Sequence, residues 1–158
     1  MNNPMNLFQM LSQIKSNPFA ILSQRFNIPQ NSGNVYHENE SGIFILRGGK
    51  PCQNGCNCPA QYQVTFNGNI AIPEGGTVTP IAVALAVDGE PRLTSRAIYT
   101  PAAVSEYGNV TSTAIIKVPR CCCFTLAVES IPATTDPTVT PAPVIDVQNA
   151  NLTITRIA

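Results

Sequence analysis

The architecture turns on the stretch Gly76-Thr-Val-Thr-Pro-Ile-Ala-Val-Ala-Leu-Ala-Val-Asp-Gly-Glu-Pro91. Every residue from Ile81 to Val87 is apolar. At the two-residue period of a strand, Ile81, Val83, Leu85 and Val87 point one way and Ala82, Ala84 and Ala86 the other. The large set requires a hydrophobic core. The small set is apolar too, so this strand is expected to have no face in water. Gly75-Gly76 before it and Asp88-Gly89 after it are turn signals that bound one strand of ordinary length. A helix can carry such a run, but Thr77, Val78, Thr79, Pro80 and the flanking turns favour the strand. Its second face needs another sheet, a loop or a second subunit as cover. We expect the last, an oligomer of β-sandwiches.

The neighbouring segments read as strands and turns. Tyr62, Val64 and Phe66 alternate with Gln61, Gln63 and Thr65, the pattern of a half-buried strand. Asn67-Gly68 fits a tight turn or a bulge, and Ile70–Ile72 leads into the Pro73-Glu-Gly-Gly turn. Further strands are expected at Gly42–Leu46, Arg92–Thr100, Asn109–Val118, Cys121–Ile131 and within Val144–Ala158. Val110, Ala114, Ile116 and Val118 share a face; so do Cys122, Phe124, Leu126 and Val128, which makes Cys122 a small core residue. Leu152 and Ile154 face in, Thr153 and Thr155 out. Pro132–Pro143 is a Pro/Thr-rich loop. About seven or eight strands at intervals of roughly a dozen residues predict an all-β sandwich, a jelly roll being the leading form.

Composition narrows the partners. The 158 residues are enough for one domain with a real core plus a tail. Nine basic and nine acidic side chains cancel and are not clustered. Nucleic acid needs a basic stripe, so it is not an expected partner. An anionic membrane surface is disfavoured for the same reason. No stretch approaches the roughly 20 apolar residues that span a bilayer, and Met1–Phe8 lacks the basic and apolar regions of a secretory signal. With 44% apolar residues and 11% charged ones, much of the surface is expected to be covered by partners.

Residues 1–30 differ from the rest. Leu7, Met10, Leu11 and Ile14 recur at helical spacing, and Asn17-Pro18 stops one helix and starts another. Phe19, Leu22 and Phe26 form a second short apolar face. The pattern fits a helix packed on its own domain or an arm that docks elsewhere. The polar linker that follows favours the arm. The expected division is a helical anchoring arm at 1–30, a linker and cysteine-rich loop at 31–60, and the β-domain at 61–158.

The six cysteines fall in two groups, Cys52, Cys56 and Cys58 on a Gly/Pro/Asn-rich loop and Cys121-Cys122-Cys123 at the start of a strand. Cys121 and Cys123 share the face opposite Cys122 and are the ones placed to meet the loop cysteines. Disulfides, a structural zinc site and free thiols all remain open, and the spacing is not the paired C-x2-C of a zinc ribbon. Signs of catalysis are few. His37, the lone histidine, falls in a polar linker and reads as solvated. No Gly-x-Ser-x-Gly, His-Glu-x-x-His or Walker loop is present. Glu74, Asp88 and Glu90 read as turn residues in water, not as calcium ligands. Asn109-Val-Thr111 and Asn151-Leu-Thr153 match the glycosylation sequon, which matters only in a secretory pathway. An enzyme is not expected, and neither is a cofactor beyond that zinc.

Two longer segments carry a resemblance. Gln63-Val-Thr-Phe-Asn-Gly-Asn-Ile-Ala-Ile-Pro-Glu-Gly-Gly-Thr-Val, continuing through Ile81–Pro91, resembles small proteins encoded by bacteriophages and prophages of gut Firmicutes. Thr100-Pro-Ala-Ala-Val and Asp146-Val-Gln-Asn-Ala-Asn-Leu-Thr-Ile-Thr-Arg do so as well, and Cys121–Cys123 resembles a cysteine-rich strand common in that group. Ser16-Asn-Pro-Phe-Ala-Ile-Leu-Ser-Gln-Arg-Phe-Asn-Ile-Pro is similar to a segment of short proteins from phage head-gene regions. The resemblance implies a trimeric jelly roll of the tumour-necrosis-factor-like kind. It implies a structural virion protein, a capsid decoration or head-fibre protein on the capsid exterior, assembled in the bacterial host cytoplasm. Its arm would dock on the major capsid protein or another head protein. Ala82, Ala84 and Ala86 would then lie at the oligomer interface, where small side chains permit close approach. Two alternatives accompany it: a module adhering to host or mucosal glycans, with Tyr99 and Tyr107 as candidate platforms, and a bacterial spore-surface protein.

Overall fold

The computed structural model describes residues 34–37, 42–49, 59–134 and 142–158. The arm with its Leu7–Phe26 stripe and the loop cysteines Cys52, Cys56 and Cys58 lie outside the described residues. Nine strands are present among those described: β1 Val35–His37, β2 Phe44–Arg47, β3 Ala60–Ala71, β4 Ile81–Val87, β5 Glu90–Pro91, β6 Ala97–Tyr99, β7 Gly108–Val118, β8 Cys123–Pro132 and β9 Asp146–Arg156. They build two antiparallel sheets. One has six strands in the order β1-β2-β8-β4-β5, with β6 also paired to β4; the other has the order β7-β3-β9.

Local chemistry explains the main boundaries. β4 is buried at all seven positions, as its sequence requires. It ends at Asp88 (φ 53°) and Gly89 (φ 78°), the two left-handed residues that a tight type I′ hairpin demands. Upstream, the Gly76 N–H donates to the Pro73 carbonyl at 3.0 Å, with Gly75 at φ 81° inside the turn. β3 alternates buried and more open residues along its length. Asn67-Gly68 is not a turn. β3 runs straight through it, and the register against β9 shifts there as a bulge.

The two sheets share one core. Tyr62, Val64, Phe66 and Ile70 of β3, with Val118 of β7 and Leu152 of β9, meet Phe44, Leu46, Val83, Leu85 and Leu126 from the other sheet. Each such side chain contributes on the order of 1.5–3 kcal/mol when fully buried. Tyr62 also links the sheets through its hydroxyl, which donates to the Arg47 carbonyl at 2.5 Å and approaches the Asn34 carbonyl at 3.2 Å. The other side of β4 forms a separate small cluster of Ala82, Ala84 and Ile131, with Ala133 packed against it.

Three expectations change. Residues 31–60 are not merely linker and loop, because β1 and β2 belong to the larger sheet and Phe44 and Leu46 are fully buried. Arg92–Thr100 is not one strand: a 3-10 turn at Leu93–Ser95 precedes β6. The segment Cys121–Ile131 becomes a strand only at Cys123. Cys121 is left-handed (φ 56°), and the Cys122 N–H closes a turn on the Pro119 carbonyl at 3.3 Å. That turn leaves Cys122 exposed, so it is not a core residue.

The 3-10 turn has a structural purpose. Between β5 and β6 the edge of β4 lacks a strand partner at Leu85. The Arg92 N–H donates to the Leu85 carbonyl at 2.8 Å, and the Ser95 hydroxyl accepts from the Leu85 N–H at 3.0 Å. Ser95 in turn donates to the Arg92 carbonyl at 2.7 Å, and the buried Ser112 hydroxyl donates to the Ser95 carbonyl. Two buried serines thus complete a ladder inside an apolar core. Ser95→Ala is expected to cost about 1–3 kcal/mol by orphaning the Leu85 N–H. An unchanged denaturant midpoint with unchanged slope would contradict that role.

Candidate interaction faces

Residues directly opposite one another in an antiparallel pair share a face of the sheet. This rule assembles the outer face of the six-stranded sheet. Tyr36, Ile45 and Thr125 form one row across β1, β2 and β8. Ala86 stands opposite Ala127, Ala84 opposite Glu129, and Ala82 opposite both Ile131 and Ile98. The alanines are the floor of this face and are at most 1% exposed within the single chain. The surface a partner can reach around them is the rim, where Tyr36 is 52% and Ile98 49% exposed.

Glu129 is the one acid in the middle of that face. Burial, and then the nearby Glu90 carboxylate, raise its pKa above the usual carboxylate value. Asp88 at the margin is engaged locally, its carboxylate accepting from the Thr125 N–H at 2.8 Å and the Thr125 hydroxyl at 3.2 Å. That hydrogen bonding locks the β4–β5 hairpin onto β8 and accounts for Asp88 as a turn residue.

The three-stranded sheet presents a different outer face. Its cross-strand rows are Asn69 with Asn109 and Gln148, Asn67 with Thr111 and Asn151, Thr65 with Thr113 and Thr153, and Gln63 with Ile115 and Thr155. None of these four rows carries a charge; the next row along the face, Gln61 with Lys117, does. Asn67 donates to Thr111 at 2.7 Å and to Asn109 at 3.2 Å, Asn109 donates to Asn69 at 3.0 Å, and the Thr65 and Thr113 hydroxyls meet at 3.2 Å. Both sequon asparagines, Asn109 and Asn151, belong to this ladder. The sequence reading recorded the Gln/Thr alternation of β3 but not the face it builds with β7 and β9. The signal was present as Asn, Gln and Thr at alternate positions of three separate strands.

Cys121, Cys122 and Cys123 lie exposed at the β7–β8 corner. The outgoing end of β2 runs beside them: Arg47 is opposite Cys123, and the Gly48 N–H donates to the Cys122 carbonyl at 2.9 Å. Only glycine fits at that crossing, since a Cβ on Gly48 would lie 2.2 Å from the Pro119 carbonyl oxygen. The described chain thus leaves β2 beside the second cysteine group at Gly48. Among the described residues, no three His, Cys, Asp or Glu side chains gather as metal ligands. His37 is not a linker residue in water. It is in β1, with its ring stacked on Phe44 at 4.4 Å and 21°, and burial lowers its pKa.

No protein-family model matches the chain. No curated protein matches it either. No helix among the described residues is long and apolar enough to cross a membrane.

The Glu129 environment makes a signed prediction. A carboxyl whose folded pKa is raised binds protons more readily in the folded state, so ionising it costs stability above its unfolded value, here 4.5. Glu129→Gln is expected to raise the melting temperature at neutral pH. The gain should fade as pH falls towards 4.5. A gain of the same size at every pH would rule out ionisation as the cause.

Proposed function

We propose that this chain is a non-enzymatic structural virion protein, a capsid decoration or head-fibre protein whose β-domain projects from the capsid exterior. In this reading the two antiparallel sheets are those of a tumour-necrosis-factor-like jelly roll. The β-domain assembles as a homotrimer through the outer face of the six-stranded sheet. The 1–30 arm docks on the major capsid protein or another head protein, and the particle is put together in the host cytoplasm.

The observation that carries the reading is the apolar character of that outer face. Its floor of Ala82, Ala84, Ala86 and Ile131 is already buried within one chain, Ala127, Ile45 and the half-buried Glu129 lie around that floor, and the apolar side chains open to a partner are Tyr36 and Ile98 at its rim. Apolar side chains grouped on one sheet face mark a surface that a partner covers. The resemblance of Gln63–Pro91 and Asp146–Arg156 to phage-encoded proteins supports the setting. The apolar stripe of Leu7, Met10, Leu11 and Ile14, continued by Phe19, Leu22 and Phe26, supports an anchor.

The particle is the place to test this. Antibody labelling of virions produced by a cell carrying the gene is expected to decorate the heads. Heads lacking the protein should bind the added full chain and not a chain starting at residue 31. Equal binding of both forms would remove the anchoring role, and unlabelled heads would remove the virion assignment.

A further inference from the structure

The outer face of the three-stranded sheet ends in a built platform that the assembly reading leaves unused. Its centre is Tyr107, 37% exposed on the loop before β7. That loop is held in place from several sides. The Glu106 carboxylate accepts from the Ala102 N–H at 2.7 Å and the Ala103 N–H at 3.0 Å. The Ser105 N–H donates to the Ile72 carbonyl at 2.8 Å. The Tyr99 ring lies so close over Gly108 that a Cβ there would be 2.3 Å from it. Tyr107 is thus presented by a fixed loop.

Polar groups converge beside it. The Gln148 side chain and the Asp146 carboxylate both lie near enough to the Tyr107 hydroxyl to act on it electrostatically. Gln148 is opposite Asn69, which is opposite Asn109, so three carboxamides line up next to the ring. Asn109 reaches Asn69 at 3.0 Å and Asn67 at 3.3 Å, which orients the planar amides before any ligand arrives.

We propose that this platform binds a neutral oligosaccharide laid along the sheet. The ligand class follows from the donor set. A sugar offers hydroxyls that donate and accept at once, and a carboxamide answers with two donors and two lone pairs in one plane. A carboxylate takes the remaining hydroxyl protons, and an aromatic ring covers the C–H face of a pyranose. Charge narrows the class. The four rows from Asn69 to Gln63 contain no ionisable side chain, the cation Lys117 lies beyond them at the far end from Tyr107, and the Asp146 carboxylate at the Tyr107 end disfavours sialylated or sulfated sugars there. The surface is open, so one site is weak, and several copies on one particle raise the avidity without new contacts. This site is independent of the virion reading, since binding is measured on the protein alone.

The test uses the full chain on an array of neutral hexose and N-acetylhexosamine oligosaccharides printed beside sialylated and sulfated ones. Neutral glycans are expected to bind, with chemical-shift changes at Tyr107, Asn109 and Gln148. Tyr107→Ala and Asn109→Ala should each weaken binding by about tenfold, the scale of one lost stacking or hydrogen-bonding contact. Tyr107→Phe should keep most of it, and Thr155→Ala at the far end should change nothing. Melting temperatures of the variants establish that each is folded, and shift mapping on the unmodified chain decides the matter if Tyr107→Ala is not. Binding to no neutral glycan, binding only to acidic ones, or shifts that avoid Tyr107 and Gln148 would overturn the proposal.

Discussion

A strand with no face in water constrains everything around it. β4 is buried at every position from Ile81 to Val87, with large side chains on one side and alanines on the other. Its large side fixes where the second sheet must lie, because β3, β7 and β9 offer Val64 and Phe66, Val118, and Leu152 to cover it. Its flanks must be closed as well, since a buried backbone donor without an acceptor costs on the order of 1–3 kcal/mol. β8 takes one flank and β5 and β6 share the other, with the Ser95 hydroxyl filling the gap between them. The alanine side then becomes the floor of an outward face.

Much of this was legible in the residues. The apolar run, the Asp88-Gly89 hairpin and the alternation of β3 each have a direct physical cause, and each is present where the sequence places it. The inward faces of β7 and β9 were legible too, through Val110, Ile116, Val118 and Leu152. Other features had no local signal. Nothing about Cys121 announces a left-handed residue, so the turn that exposes Cys122 was hidden. β1 is three residues long in a polar stretch, and it exists because β2 offers it an edge and Phe44 a ring for His37 to stack on. Ser112 interrupts an apolar face and is buried only because the Ser95 carbonyl, far away in sequence, accepts its proton.

The candidate surfaces were legible to differing degrees. Ala82, Ala84 and Ala86 were recognisable from alternation alone, whereas Tyr36, Ile98 and Glu129 join them only through strand pairing. The charge-free ladder needed three strands from different parts of the chain to come into register. The result is a domain with two unlike faces. One is apolar around a single carboxyl whose ionisation burial disfavours. The other is mostly amide and hydroxyl, with Ile115 and Lys117 towards one end, and several of its side chains are already hydrogen-bonded to one another. In the proposed reading the first faces other copies of the chain and the second faces outward.

That division rests on assembly through the six-stranded sheet, and the native mass of the full chain in solution examines it. Sedimentation equilibrium of the unmodified protein should give three times the 16.9 kDa of the chain. The double variant Tyr36→Asp, Ile98→Asp, with two charges on the exposed rim, should give a folded monomer. An unmodified chain that remains monomeric at high concentration, or a charged variant that still forms the trimer, would contradict assembly through this face.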